Sequence, residues 1–150
     1  MLGETLAELE IEKVFQGTPE LVFNAIRRYD LYPKYLPCVQ KIDVIPKKKP
    51  NNPQLVRYEL YIIKTFFYVL SMKESPFSKI EWSLDDSNIM KSNSGSWTFE
   101  GLGKKRTKAI YRIDVKFKGF VPSMVTDKIA QANLPTMMAG FQKLINEVKF

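Results

Sequence analysis

Acid–base chemistry needs titratable side chains held in pairs, and this sequence supplies carboxylates without evident partners. Glu59, Glu81, Glu100 and Asp114 fall in strand-like segments, and none stands at a spacing that makes a catalytic pair. Arg57 and Glu59, two residues apart, share one strand face and form either a buried pair in an interior or an ion pair on an outer surface. The chain contains no histidine. That excludes Ser-His-Asp and Cys-His catalysis, histidine-ligated zinc or haem, and a histidine pH switch. The one cysteine, Cys38, excludes an intrachain disulfide and is too little for a thiolate metal site. It follows Pro37 and reads as a small buried hydrophobe. No cofactor, metal or catalytic residue is expected.

The residue types that stand out belong to apolar recognition. Trp97 and Phe99 lie two apart, on one face of a strand, and Trp82 sits in the strand before them. Tyr111 and Ile113 share a face of the last strand, and Tyr111 adds a hydroxyl able to orient a ligand. Ile129, Thr136, Met137 and Gly140 follow in a helical stretch, with Met124 and Met138 on the same stretch. Large rings opposite small helix residues are read in two ways. They are interdigitated core packing, or they are the wall of an apolar pocket. Methionine suits an adaptable lining, and equally suits plain core.

These residues are positioned by a simple series of elements. Between Ala7 and Phe15, Leu9, Ile11 and Phe15 alternate with Glu8, Glu10 and Glu12, a strand with one wet face. Gly17 ends it. Thr18-Pro19-Glu20 supplies an N-cap hydroxyl, a proline at the first helical position and an acid in the first turn. The helix runs to about Arg28, and Asp30 is expected to cap a second helix that Pro33 and Pro37 keep short. Strands follow at Val39–Ile45, Leu55–Ile63, Thr65–Lys73, around Ile80–Leu84, at Lys91–Gly101 and at Ala109–Phe117. Proline, Asp-Asn and glycine clusters separate them, with Gly101-Leu-Gly103-Lys read as a flexible hairpin connection. From Pro122 a helix is predicted through Val148, about 40 Å long, with Pro135 kinking it near residues 131–135. The predicted class is α+β: seven antiparallel strands in one curved sheet, two short helices between the first two strands, and a long C-terminal helix on the dry face. Residues 1–150 read as a single domain.

The chain has 150 residues with a net charge of +7, 45% hydrophobic and 26% charged. Residues 104–118 hold Lys104, Lys105, Arg106, Lys108, Arg112, Lys116 and Lys118 against Asp114 alone. This strip suits RNA or an anionic lipid surface, or is an ordinary solvated strand face ending in a basic hairpin tip. Tyr32, Tyr35, Leu36 and Phe120 beside Lys34 and Lys128 suit transient docking on an anionic membrane, or simply pack short helices onto the sheet. No run of residues approaches the roughly 20 apolar positions that span a bilayer. The N-terminus, acidic and amphipathic, lacks the pattern of a signal peptide, so a cytoplasmic location is expected.

Three stretches carry a family likeness: Thr18-Pro19-Glu20-Leu-Val-Phe-Asn-Ala-Ile; Tyr32-Pro33-Lys-Tyr35-Leu36-Pro37 followed by Val39 and Val44; and Ser94-Gly95-Ser-Trp97-Thr-Phe99 with Tyr111 and Val121-Pro122. With them the chain, from about Leu6 to Val148, resembles the START-like superfamily, the helix-grip or birch-pollen-allergen fold. Within it the chain is similar to the polyketide cyclase/dehydrase and coenzyme-Q-binding group. The resemblance implies a helix-grip domain enclosing a hydrophobic cavity for lipids, quinones, sterols or polyketides. The function it implies is a binding or carrier protein for an isoprenoid quinone, fatty acid or similar lipid, lined by Trp82, Trp97, Phe99, Tyr111, Ile113, Ile129, Thr136, Met137 and Gly140. The alternative is a ribosome- or RNA-associated module using the basic strip. A cyclase or dehydratase acting through Glu59 and Tyr111 is the third reading, and the absence of an evident acid–base pair weighs against it.

Overall fold

The computed structural model describes residues 5–37, 39–62, 64–119, 122 and 134–148. Strand β1 (Thr5–Gln16) leaves Glu8, Glu10 and Glu12 exposed and turns Phe15 fully inward, as period-two alternation requires. At Gly17, φ is +142°, a conformation that favours glycine, and the Thr107 hydroxyl donates to its carbonyl at 2.8 Å. Helix α1 (Pro19–Ile26) starts as the sequence predicts. The Thr18 hydroxyl accepts from the Leu21 N–H at 3.2 Å, with Pro19 in the first turn. Its buried face is Val22, Phe23, Ala25 and Ile26.

A 3-10 turn (Tyr29–Leu31) leads into α2 (Tyr32–Tyr35). Asp30 does not cap α2. Its carboxylate instead accepts from the Arg28 guanidinium at 2.9 and 3.0 Å, and Leu31 occupies the cap position without a side-chain bond. A charged partner two residues away competes successfully for a short-range acceptor.

The remaining strands are β2 (Val39–Ile45), β3 (Gln54–Ile62), β4 (Lys64–Ser75), β5 (Lys79–Ser87), β6 (Met90–Gly103) and β7 (Arg106–Phe117). They form a seven-stranded sheet in the order β1-β7-β6-β5-β4-β3-β2, with every neighbouring pair antiparallel. Strand β1 returns to lie beside β7, with Ile11 opposite Tyr111. Irregularities between Val39 and Lys41, Val69 and Leu70, Met90 and Ser92, and Gly101 and Gly103 add local twist and bend, which curves the sheet. The β6–β7 connection is tighter than the glycines suggested. Strand β6 runs through Gly103, and the turn is Lys104-Lys105, both at positive φ (53° and 54°), the backbone of a type I′ hairpin.

The described part of the C-terminal helix, α3, is Leu134–Glu147. Pro122, the predicted start, is not helical; residues 123–133, which hold the first part of the predicted helix and of the predicted kink segment, lie outside the described residues, and Leu134 and Pro135 open the described helix. Helix α3 seats on α1, α2 and the end of β1. Gln142 completes both main-chain hydrogen bonds of Gln16, accepting from its N–H at 2.9 Å and donating to its carbonyl at 3.2 Å. Phe141 inserts edge-on between the rings of Tyr32 and Trp97. Gly140 brings the helix backbone against the Tyr35 carbonyl, so the close approach it permits is to α2 and not to the sheet. Among the described residues no helix is long and apolar enough to cross a membrane.

Candidate functional site

The concave face of the sheet carries the candidate side chains because period-two alternation places Tyr58, Tyr68, Trp82, Trp97, Phe99 and Tyr111 on it. At the end beneath α1 and α3 the rings are tightly packed. Trp97 is 3% exposed, parallel to Phe99 at 6.1 Å and in contact with Phe15, Tyr111 and Phe141. Phe99 meets Phe23 of α1 edge-to-face at 6.1 Å. Rings so surrounded by protein act as the solid back of the interior, each contributing about 1.5–3 kcal/mol by burial.

Trp82 is held differently. Its indole lies over Gly95, directly opposite on β6, and its Nε1–H donates to the Asn93 side-chain oxygen at 3.1 Å. Asn93 is itself buried and donates to the Met90 sulfur at 3.5 Å. The ring is therefore fixed, tilted against Tyr111 at 5.9 Å between centroids.

Away from that end the interior divides. One buried cluster contains Phe15, α1, α2, Trp82, Trp97 and α3 residues; a second contains Phe66, Ile89, Met90, Ile113, Val115 and Phe117. Tyr68, Leu84 and Tyr111 touch both clusters and are only partly buried, although all three point to the concave face. Tyr58 stacks on Tyr68 at 4.7 Å with the rings 13° from parallel, and Tyr32 closes on Tyr58 from α2. Burial raises the Tyr58 and Tyr111 phenols well above their ordinary value, so both hydroxyls keep their protons at neutral pH.

The structure thus brings together Trp82, Trp97, Phe99 and Tyr111, with Met137 partly buried against the same cluster, and places Ile113 in the second cluster. Gly140 belongs to the α2–α3 contact. Ile129 and the side chain of Thr136 lie outside the described residues, as do Cys38, Phe120, Met124 and Lys128. Tyr58, Tyr68 and Leu84 were not among the predicted site residues. Period two gives the signal, since Tyr58 stands between Arg57 and Glu59 and must face away from both.

Glu59 lies on the other side of the sheet. The Arg57 guanidinium donates to it at 2.5 Å and covers the Phe67 ring at 4.8 Å, which is outer-face packing. That hydrogen bond holds the Glu59 carboxyl below its ordinary value. Glu59 and Tyr111 cannot touch one substrate, which removes that acid–base pair. Tyr32 and Leu36, offered as membrane-docking residues, are buried, and the Tyr32 hydroxyl donates to the Ile26 carbonyl at 2.6 Å; their work is to pack α2 onto the sheet.

The basic strip is interleaved with acids. Arg112 pairs with Glu10 at 2.5 Å, and Lys108 lies 3.3 Å from Glu12 and 3.7 Å from Glu100. Strand β1 sets its carboxylates beside the β7 cations because the two strands pair. A face of alternating sign lacks the continuous positive potential that a phosphate backbone requires, and the structure does not support the RNA reading. Two shallow hollows, of about 680 Å³ under the 46–53 loop and about 450 Å³ beside Glu8, Glu10 and Arg112, carry charged and serine side chains.

The family model described as polyketide cyclase/dehydrase and lipid transport matches residues 16–142. No curated protein matches the chain. A START superfamily protein from Mycobacterium smegmatis superposes with a TM-score of 0.79 at 14% identity, covering 95% of this chain and 99% of that one. The Zhui aromatase/cyclase from Streptomyces sp. R1128 superposes with a TM-score of 0.74 at 14% identity, covering 95% and 93%. Norcoclaurine synthase from Thalictrum flavum, in complex with dopamine and hydroxybenzaldehyde, gives 0.67 at 11% identity, covering 99% and 91%. At these identities the likeness is one of fold: a curved seven-stranded antiparallel sheet gripping a C-terminal helix.

Proposed function

Because the chain belongs to the polyketide cyclase/dehydrase and lipid transport family, we propose that it binds and carries a hydrophobic small molecule between the concave sheet face and the C-terminal helix. The observation that carries this reading is the divided interior. Tyr68, Leu84 and Tyr111 face inward yet remain partly buried between two clusters, as the walls of a ligand space do. An isoprenoid quinone, a fatty acid or a similar lipid is the ligand class. Trp82, Tyr111, Ile113 and Met137 contact it, and Trp97 and Phe99 back the wall. Gly140 seats the C-terminal helix on α2.

Fold alone fixes no function, and the aromatase/cyclase fold relative makes turnover the competing reading. Against it stands the placement of Glu59, on the face opposite Tyr111. The test is native mass spectrometry of gently purified protein with organic extraction, followed by titration with a fluorescent fatty acid and with a short-chain quinone. A co-purifying lipid or saturable binding is expected. An apo mass together with no saturable binding of either probe ends the proposal.

A further inference from the structure

Tyr58 and Tyr111 stand four strands apart in the sheet order, on β3 and β7, and the curvature of the sheet turns them toward one interior. Tyr58 is 7% exposed and Tyr111 is partly buried. A tyrosine hydroxyl in such a place ordinarily finds a hydrogen-bond partner. The neighbouring tyrosines obey that rule: Tyr29 donates to Glu74 at 2.7 Å and Tyr32 to the Ile26 carbonyl at 2.6 Å. Among the described residues, neither the Tyr58 nor the Tyr111 hydroxyl has a hydrogen-bond partner. Yet no fully buried side-chain oxygen or nitrogen among them is left unpaired. The two hydroxyls therefore open onto accessible space from inside the sheet's concave face.

Resting on the carrier reading above and narrowing it to its quinone-like members, with fatty acids left out, we infer that the Tyr58 and Tyr111 hydroxyls are the polar clasp of the ligand site, and that the ligand is an uncharged, flat molecule presenting carbonyl or hydroxyl oxygens to them. Flatness is inferred from the aromatic walls beside the two hydroxyls, formed by the Tyr58–Tyr68 stack and by Trp82 against Tyr111, since ring faces and edges favour a planar partner. Neutrality follows from the placement of charge. Arg57, Glu59 and Arg112, from the strands that carry the two tyrosines, pair on the outer face, and Glu74 is occupied by Tyr29 and Arg27. A carboxylate brought between the tyrosines would give up its hydration, while the cations flanking them in sequence, Arg57 and Arg112, are held by Glu59 and Glu10 on the outer face. A ketone or quinone oxygen loses little and gains two donors.

The experiment uses three probes of one shape: fluorene, fluorenone and fluorene-2-carboxylate. Binding is followed by quenching of tryptophan fluorescence, since Trp82 lies beside Tyr111, and affinities are set by calorimetry. Fluorenone is expected to bind several-fold to tens of times more tightly than fluorene, about three- to tenfold for each hydroxyl, and more tightly than the carboxylate. The double variant Y58F/Y111F is expected to lose the preference for fluorenone over fluorene, the ratio of the two affinities falling to about one. The inference is overturned if fluorene and fluorenone bind equally, if the preference survives in the double variant, or if the carboxylate binds best. In each of these the carrier reading stands. Failure of all three probes to bind wild-type protein overturns the clasp, and the fatty-acid and quinone titrations then decide the carrier reading separately.

Discussion

The indole of Trp82 occupies the place that a side chain at Gly95 would need. A Cβ there would collide with the Trp82 ring and also with the main-chain carbonyl of Arg112, so relief on one side leaves the other contact in force. The ring in turn depends on Asn93, which accepts from its Nε1–H at 3.1 Å. This glycine is a ring's resting place in the middle of the sheet.

Gly95→Ala should therefore destabilise the fold by about 1–3 kcal/mol, the usual cost of overpacking a filled interior. In a chain of this length each kcal/mol is worth about 2–4 °C in Tm. Displacing the indole should also strain the bond to Asn93 and change the tryptophan emission. Thermal unfolding monitored by fluorescence checks both. An unchanged Tm with unchanged emission would mean that the ring is not seated on Gly95.

The same reasoning gives Gly140 a definite sign. Glycine inside a helix ordinarily costs about 0.5–1 kcal/mol relative to alanine, so Gly140→Ala would stabilise a free-standing helix. Here the added methyl meets the Tyr35 carbonyl, and a backbone atom cannot swing aside. A fall of several degrees in Tm is expected, with α3 loosened from α2. A rise in Tm would show that the helix is not packed on Tyr35.

Much of this architecture is legible in the sequence, for a reason the strands make plain. Alternation in β1 and β7 fixes which residues face inward, and Thr18-Pro19-Glu20 announces α1 through a local capping bond. What is hidden depends on pairing across the chain. The partner of Gly140 is set by how α3 meets α2, which no periodicity encodes. Arg57 and Glu59 suit either face until the burial of Tyr58 between them decides it. Asp30 carries a capping signature, and the Arg28 guanidinium takes its carboxylate. The glycines at 101 and 103 suggest a loose loop, whereas cross-strand pairing with Thr107 and Arg106 carries β6 on to Gly103.

That hairpin offers a stabilising change. Lys104 and Lys105 both adopt positive φ, which suits asparagine and glycine and crowds a lysine Cβ, and they set two cations side by side. The double substitution Lys104→Asn with Lys105→Gly should raise stability by about 1–2 kcal/mol. Lowering the tip's charge should leave ligand affinity untouched, because the turn is remote from the tyrosines. Chemical denaturation at two salt concentrations separates the backbone gain, which persists in high salt, from relief of repulsion, which does not. A loss of stability in both would contradict the type I′ geometry.

The buried phenols make the fold sensitive to alkali. Burial is the main cause that raises Tyr29, Tyr32, Tyr58 and Tyr111 above their ordinary value of 10.0, and Glu74 adds to the effect at Tyr29. In the unfolded chain these groups release protons from about pH 10, whereas the folded chain holds them. The unfolded state then binds fewer protons, so stability is complete below pH 10 and falls as pH rises toward the folded values. Tm should be level from pH 7 to 9 and drop steeply from pH 10 upward. Two variants apportion the effect. Tyr58→Phe removes a titrating group whose hydroxyl has no partner among the described residues, so it should keep its neutral-pH Tm and show a shallower alkaline fall. Tyr32→Phe also removes a titrating group but leaves the Ile26 carbonyl without its 2.6 Å donor, so it should lose about 1–3 kcal/mol at every pH. Equal alkaline slopes in all three proteins would mean that these phenols are not what limits the fold at high pH.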